Sequence, residues 1–443
     1  MQTRDFHFIN VSLPLIDETK KFELKAAGGV WTSIQAQEKD LSWEDAVPIT
    51  FGDGLLQMNQ NPIDLQGRLL LPGFVDMHMH LDKAYSIKRV GNETGTLLEA
   101  ITNYRREVSS FTKEEIKQRI LQTALRAVSY GTTHIRTHLD FHFHSGRDIA
   151  YRTMEAALEA REELRGVLNL QLFPMCPYDH LSSGAIEAAE ELLKLGMDGL
   201  GGAPHLSKDP EGEINSIFKL AVKYGKPIDL HADESDDPAR RTVISIAQRT
   251  LQYGYQGKVT AGHLSSLSAM SRGEAESIMA LMAEAKLGAV ALPAANLYLL
   301  GIADTGPIRR GVTRVKELIS YGVPTAAASD NIQDPFHPFG RGDLLQIGLL
   351  TAYAAHMGSP AELRSLLRMI TEVPAALMGI SDYGVKQGSP ASFVVTDASS
   401  VEELFTEQSP ARWVFVKGKM LHAWGQQQWA APEWLKLQKK IER

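Results

Sequence analysis

Eight short apolar runs, each followed by a helix-like stretch, constrain this chain more than anything else in it. The runs cover 74–79, 133–137, 167–173, 199–203, 228–231, 259–263, 288–292 and 323–328. Between them lie amphipathic stretches at 113–130, 149–161, 185–195, 216–224, 239–253, 273–286 and 312–321. Apolar runs of this length suit strands covered on both faces, and the intervening stretches repeat apolar residues at helical spacing. Four of them stop at glycine, in Tyr130-Gly131, Leu195-Gly196, Tyr224-Gly225 and Tyr321-Gly322, the residue that most easily ends a helix. Strand–helix alternation predicts an α/β fold with a parallel sheet, and eight units in about 300 residues predict a (β/α)8 TIM barrel. The rival is an open doubly wound sheet, which usually carries a glycine-rich phosphate loop after its first strand. Neither G-x-G-x-x-G nor G-x-x-x-x-G-K-[ST] occurs here.

The flanks have a different texture. Residues 1–71 read as short strands, the first at 6–11, broken by Gly28-Gly29 and by Gly52 and Gly54. After about 384 two more strand patterns follow, at 391–397 and 413–419, and then a short basic helix at 432–443. The expected organisation is therefore a barrel over 72–384, with a small composite β domain built from 1–71 and 385–443.

Composition narrows the partners. A formal charge of −7 argues against nucleic acid, which needs a basic face. No apolar run approaches the roughly 18 residues of a membrane span. The single cysteine, Cys176, excludes an internal disulfide and suits a reducing compartment. Residues 1–14 lack the basic-then-apolar pattern of a secretory signal. A cytoplasmic protein is expected, and a homo-oligomer is compatible with the chain.

In a barrel of this kind the chemistry sits at the C-terminal ends of the strands. The first strand ends in Asp76-Met77-His78-Met79-His80. Residues two apart on a strand share a side, so His78 and His80 aim two imidazoles at one point and form half a site for a divalent metal. His138 and Asp140 follow the second strand, His205 the fourth, His231, Asp233 and Glu234 the fifth, His263 the sixth and Asp330 the eighth. Of 14 histidines, only His356 falls inside a predicted barrel helix. A second His-x-His, in Phe141-His142-Phe143-His144, stands beyond the second strand and reads as a partly packed loop. Glu234 has two readings, a proton carrier or an ordinary acid in a loop with Asp233, Asp236 and Asp237.

Five stretches together resemble the amidohydrolase superfamily, in particular its cytosine deaminase branch. They are Pro72-Gly73-Phe74-Val75-Asp76-Met77-His78-Met79-His80-Leu81-Asp82, His134-Ile135-Arg136-Thr137-His138-Leu139-Asp140, His231-Ala232-Asp233-Glu234, Thr260-Ala261-Gly262-His263 and Ser329-Asp330-Asn331 with Phe336. The resemblance implies one divalent ion, Zn²⁺ or Fe²⁺, on His78, His80, His231 and Asp330. Members with two ions often use a carboxylated lysine after the fourth strand, and Gly201-Gly202-Ala203-Pro204-His205 has none. The implied reaction is hydrolytic deamination of an amino-substituted N-heterocycle, with hydroxide on the ion attacking the ring carbon. Asp330 would take the proton of the water, His263 would orient the attacking oxygen, and Glu234 would protonate the ring and pass a proton to the leaving amine.

The substrate-reading positions depart from that branch. Met175 follows Phe173-Pro174 where the cytosine deaminases place a glutamine, and Asn331 and Phe336 stand for an aspartate and a tryptophan. With His205, these are the candidate substrate contacts. Leu81-Asp82-Lys83-Ala84 and Ala328-Ser329-Asp330-Asn331-Ile332 are closer to the isopropylammelide hydrolases of triazine degradation. Alkylamine release from a triazine, cyclic amide hydrolysis and a non-catalytic binding protein on the same fold are the alternatives.

Overall fold

Strand β1 (Phe74–Met79) is buried along its whole length, as befits a strand covered on both faces. It opens a parallel sheet continued by β2 (Thr132–Asp140), β3 (Asn169–Met175), β4 (Leu200–Gly202), β5 (Ile228–Ala232), β6 (Val259–His263), β7 (Gly288–Ala291) and β8 (Thr325–Ala327), each bonded to the next. The last meets the first just beyond β8, where Met79 bridges Asp330 in parallel. The chain thus forms the expected (β/α)8 barrel. A computed structural model describes residues 5–38, 41, 46–49, 62–176 and 182–425.

The helices arise from local signals. Lys113–Ser129 opens with a capping box, the Thr112 hydroxyl accepting from Glu115 N–H while the Glu115 carboxylate accepts from Thr112 N–H. Its apolar stripe, including Ile116, Ile120, Ala124 and Ala127, is buried. Gly196 and Gly225 close their helices in the left-handed conformation. Among the described residues six helices escape the periodicity reading: α1 (Leu97–Glu107) between β1 and β2, α2 (Pro293–Leu299) after β7, and Leu344–Ala355, Pro360–Met369, Glu372–Leu377 and Val401–Glu407 after β8. One strand is longer than expected: β2 pairs with β3 from His134 through Asp140, so His138 lies within the strand and not at its end.

The composite β domain has two sheets. Residues 6–13, 17–27, 30–37, 47–48 and 63–64 form one, and Leu70–Pro72 joins Phe393–Thr396, Arg412–Val416 and Lys419–Trp424 in the other. The C-terminal strands thus pair with the segment leading into β1 and pack against the first sheet. Phe6, Phe8 and Trp31 share one core with Phe393, Trp413 and Phe415, and the rings of Phe393 and Phe415 stack at 4.3 Å. Arg412 fastens this domain to the barrel. Its guanidinium forks onto Asp343 at 2.8 and 3.0 Å and donates to the Tyr130 carbonyl at 2.8 Å. The helix expected at 432–443, and Gly52 and Gly54, lie outside the described residues. No helix among the described residues is long and apolar enough to cross a membrane.

Candidate active site

His78 near the end of β1, His80 just past it and His231 on β5 converge inside the barrel mouth. His231 Nε2 lies 3.1 Å from His78 Nε2 and 3.0 Å from His80 Nε2. The Asp330 carboxylate faces the same point, 3.4 Å from His80 Nε2 and 3.8 Å from His78 Nε2. All four side chains are buried, and neither Asp330 oxygen has a hydrogen-bond partner among the described residues. Three imidazole nitrogens and a carboxylate thus converge on one buried point. They suit a divalent ion: ligands about 2.0–2.1 Å from a tetrahedral centre stand about 3.3 Å apart. Burial and the neighbouring rings hold His78 and His231 well below the usual histidine range, so both present neutral lone pairs. Burial works to raise Asp330, but the histidines around it keep it ionised.

Glu234 and His263 stand beside this set. Glu234 Oε1 is 3.3 Å from His263 Nδ1. Burial, with the Asp330 charge adding to it, pushes the Glu234 carboxyl well above the usual carboxylate range, which favours its protonated form. Burial pushes His263 down to about 4. The backbone at the strand exits is strained: Asp233, His263 and Asp330 have φ of 54°, 66° and 62°, a region costing non-glycine residues about 1–3 kcal/mol and typical of functional sites. Asp233 supports its neighbour Glu234 by accepting from Thr242 N–H, Thr242 Oγ1 and Val243 N–H. Gly262 is needed for a different reason, because a Cβ there would sit 3.0 Å from His78 Cε1.

A cleft opens above these groups. Met175, His205, Asn331 and Phe336, the candidate substrate contacts, all line it. The His205 ring donates from Nδ1 to the His231 carbonyl at 3.1 Å, leaving Nε2 as an acceptor. Asn331 donates to Asp334 at 2.7 Å. Four further residues were not anticipated. Lys83 is buried with Nζ 2.9 Å from Asp140 and 4.7 Å from the centre of the Phe336 ring. Burial opposes its charge, but Asp140, Asp82 and Asp334 hold its pKa above the ordinary lysine value. Tyr104 and Arg105 come from α1, which the Thr96-x-x-Glu99 cap announces, since Thr96 Oγ1 accepts from Glu99 N–H. Asn296 on α2 donates to His263 Nδ1 at 3.0 Å and has no local sequence signal.

The remaining histidines separate by position. His138 lies beneath the convergence point, its ring 4.1 Å from that of His78, with Nε2 3.8 Å from Asp229. Gly201 makes room for it, since a Cβ there would stand 3.1 Å from His138 Nδ1. The second His-x-His splits. His142 is buried at the cleft, 3.3 Å from Asp140, and His144 is exposed.

Residues 62–90 and 85–422 match the amidohydrolase family. The chain is 33% identical to the pterin deaminase of Rhizobium rhizogenes (strain K84 / ATCC BAA-868), over 81% of this chain and 82% of that protein. It is 27% identical to the N-isopropylammelide isopropyl amidohydrolase of Pseudomonas sp. (strain ADP), over 82% of this chain and 88% of that one. Among solved structures, the 5-methylcytosine deaminase of Klebsiella pneumoniae liganded with 5-fluorocytosine superposes with a TM-score of 0.88 and 28% identity, covering 97% of this chain and 100% of that chain.

Proposed function

The chain belongs to the amidohydrolase family and is a hydrolase of carbon–nitrogen bonds, and from that premise we propose that it deaminates an amino-substituted N-heterocycle. One observation carries this reading: a buried Glu234, 3.3 Å from His263, faces the same cleft as the His78, His80, His231 and Asp330 set. Those four side chains would hold one Zn²⁺ or Fe²⁺. When bound, such an ion supplies Lewis acidity that brings the pKa of a water from roughly 15.7 toward about 7.

The protein groups then divide the proton traffic. Asp330 accepts the proton released by the water. Glu234 gives its proton to a ring nitrogen, which makes the amino-bearing carbon electrophilic, takes up the proton held by Asp330 and passes it to the departing amine, so that ammonia leaves while the added hydroxyl returns its last proton to Glu234. His263 donates to the oxygen being added. Phe336 and Tyr104 flank the substrate ring, and the Lys83–Asp140 pair holds that wall in place.

Substrate class follows from the cleft lining and from the relatives. Met175 offers no polar partner to a pyrimidine edge. A two-ring aminoheterocycle of the pterin kind is therefore favoured, a choice supported by the 33% identical pterin deaminase. A second reading rests on Leu97, Ile101 and Leu206, which put apolar surface beside the cleft and suit the alkyl group of an N-alkylaminotriazine.

The test is product analysis on the zinc- and iron-loaded protein with pterins, aminopyrimidines and N-alkylaminotriazines. Ammonia from a pterin supports the proposal. Alkylamine from a triazine moves the assignment to the second reading. Ring-opened product with neither amine would sink both.

A further inference from the structure

Asn296 is completely buried on α2, 62 residues from Glu234 in sequence, and its side chain reaches both groups that handle protons. Its Nδ2 is 3.0 Å from His263 Nδ1 and 3.5 Å from Glu234 Oε1, and these two atoms are themselves 3.3 Å apart. An amide nitrogen has two hydrogens and no lone pair to share. Asn296 can therefore serve both acceptors at once. A neutral imidazole has one N–H, and the hydrogen bond at one ring nitrogen decides which nitrogen carries it. With Nδ1 accepting from Asn296, the proton of His263 must sit on Nε2. That nitrogen is buried, has no protein partner among the described residues, and belongs to the ring grouped with His78 and Asp330.

The bare Nδ1 that this tautomer presents must also be shielded from the Glu234 carboxyl, 3.3 Å away. Glu234 is close enough to His263 Nδ1 to hand over its proton, and a proton spent there is lost to the substrate. An amide hydrogen already occupying the Nδ1 lone pair blocks that transfer. The second amide hydrogen steadies the Glu234 oxygen that does not carry the acidic proton.

We propose that Asn296 is a positioning residue: it fixes His263 as the Nε2–H tautomer and reserves the Glu234 proton for the substrate. The inference rests on the deamination roles given above to His263 and Glu234, and it names a group that acts through both without touching substrate.

The test uses the full-length, zinc-loaded protein labelled with ¹⁵N-histidine. Two-bond ¹H–¹⁵N correlation spectra report the tautomer of each imidazole, and the His263→Gln variant identifies the signal of His263. The expected wild-type pattern is a bare Nδ1 and a protonated Nε2. Asn296→Asp offers only acceptors and should move the proton to Nδ1. Asn296→Leu, similar in size and uncharged, should keep zinc stoichiometry, leave KM within about twofold and lower kcat by about 10²-fold, as expected when an acid–base group loses its orientation. A wild-type spectrum with Nδ1 protonated overturns the proposal. So does Asn296→Leu with a wild-type His263 pattern. The spectra are independent of any substrate, so failure to find a deaminated heterocycle counts against the reaction and not against this role.

Discussion

The backbone N–H of Asp330 donates to the carbonyl of His78 at 2.9 Å. The barrel thus closes at the two residues that bracket its candidate metal centre, one from the first strand and one from the exit of the last. Closure sets the distance between them, so whatever strains the closure should also disturb the ion.

Removing the ion should therefore loosen the whole barrel. A ligand that binds only the folded state stabilises it by RT ln(1 + [L]/Kd), about 2.7 kcal/mol at 100-fold excess over Kd. Treatment with a chelator should lower Tm, and readdition of zinc should restore it. His231→Ala and Asp330→Ala should lose most bound metal by mass spectrometry. An Asp330→Ala protein with full metal content would remove that residue from the ligand set.

Glu234→Gln should bind metal normally and lose kcat by about 10²–10⁴-fold, the range for a missing acid–base group. It should also change the pH dependence of stability. A carboxyl with a raised folded pKa holds its proton more tightly in the native state than in the unfolded chain. The wild type, stripped of metal, then loses stability as pH rises above the unfolded value of about 4.3. The variant lacks that slope, so its Tm relative to wild type should rise with pH between 5 and 8. Parallel Tm curves would mean that Glu234 is already ionised in the folded protein.

Gly262→Ala should fold and bind metal poorly. The new methyl would press on His78 Cε1 at 3.0 Å, tilting a ligand ring without removing it. Disturbing what orients a ligand typically costs 10–100-fold in metal affinity. Competition with a fluorescent chelator measures this, and unchanged affinity would show that the His78 ring has room to yield.

Met175→Gln should raise kcat/KM on cytosine or isocytosine relative to wild type. Met175 is at the end of β3 and lines the cleft, so an amide there gains access to a ring edge. Because a site built to hydrogen-bond a substrate discriminates strongly, an unchanged rate would mean that this position does not read the ring.

Arg412→Ala should destabilise the protein by about 1–3 kcal/mol in urea unfolding, less than for a stranded carboxylate, since it removes hydrogen bonds to a charged group that keeps another cation. The group left behind is Asp343, which keeps Arg341 at 2.8 Å and still accepts from Leu345 N–H at the start of the helix Leu344–Ala355. Adding Asp343→Asn should recover part of the loss. Equal stability of the single and double variants would show that the fork contributes no coupling.

What the sequence by itself determined is local in origin. Strand and helix periods, capping residues and helix-ending glycines act over a few neighbours, so the eight units could be read in order. The same holds for His78 and His80, whose common side follows from the period of a strand. Once the barrel was inferred, residues at strand ends had to converge, which brought His231, His263, Asp330, Glu234 and the contacts Met175, His205, Asn331 and Phe336 into one cleft. Only the tertiary structure decided the partnerships made across that closure. Asn296 meets His263 and Glu234, Lys83 meets Asp140, and Arg412 meets Asp343 over separations of 33 to 69 residues. No short pattern encodes such pairs, because their distances are set by strand stagger and loop path. The α1 helix shows the same limit from the other side. Its cap, Thr96-x-x-Glu99, is written in the sequence, but that it folds over the barrel mouth and delivers Tyr104 and Arg105 to the cleft is a consequence of packing.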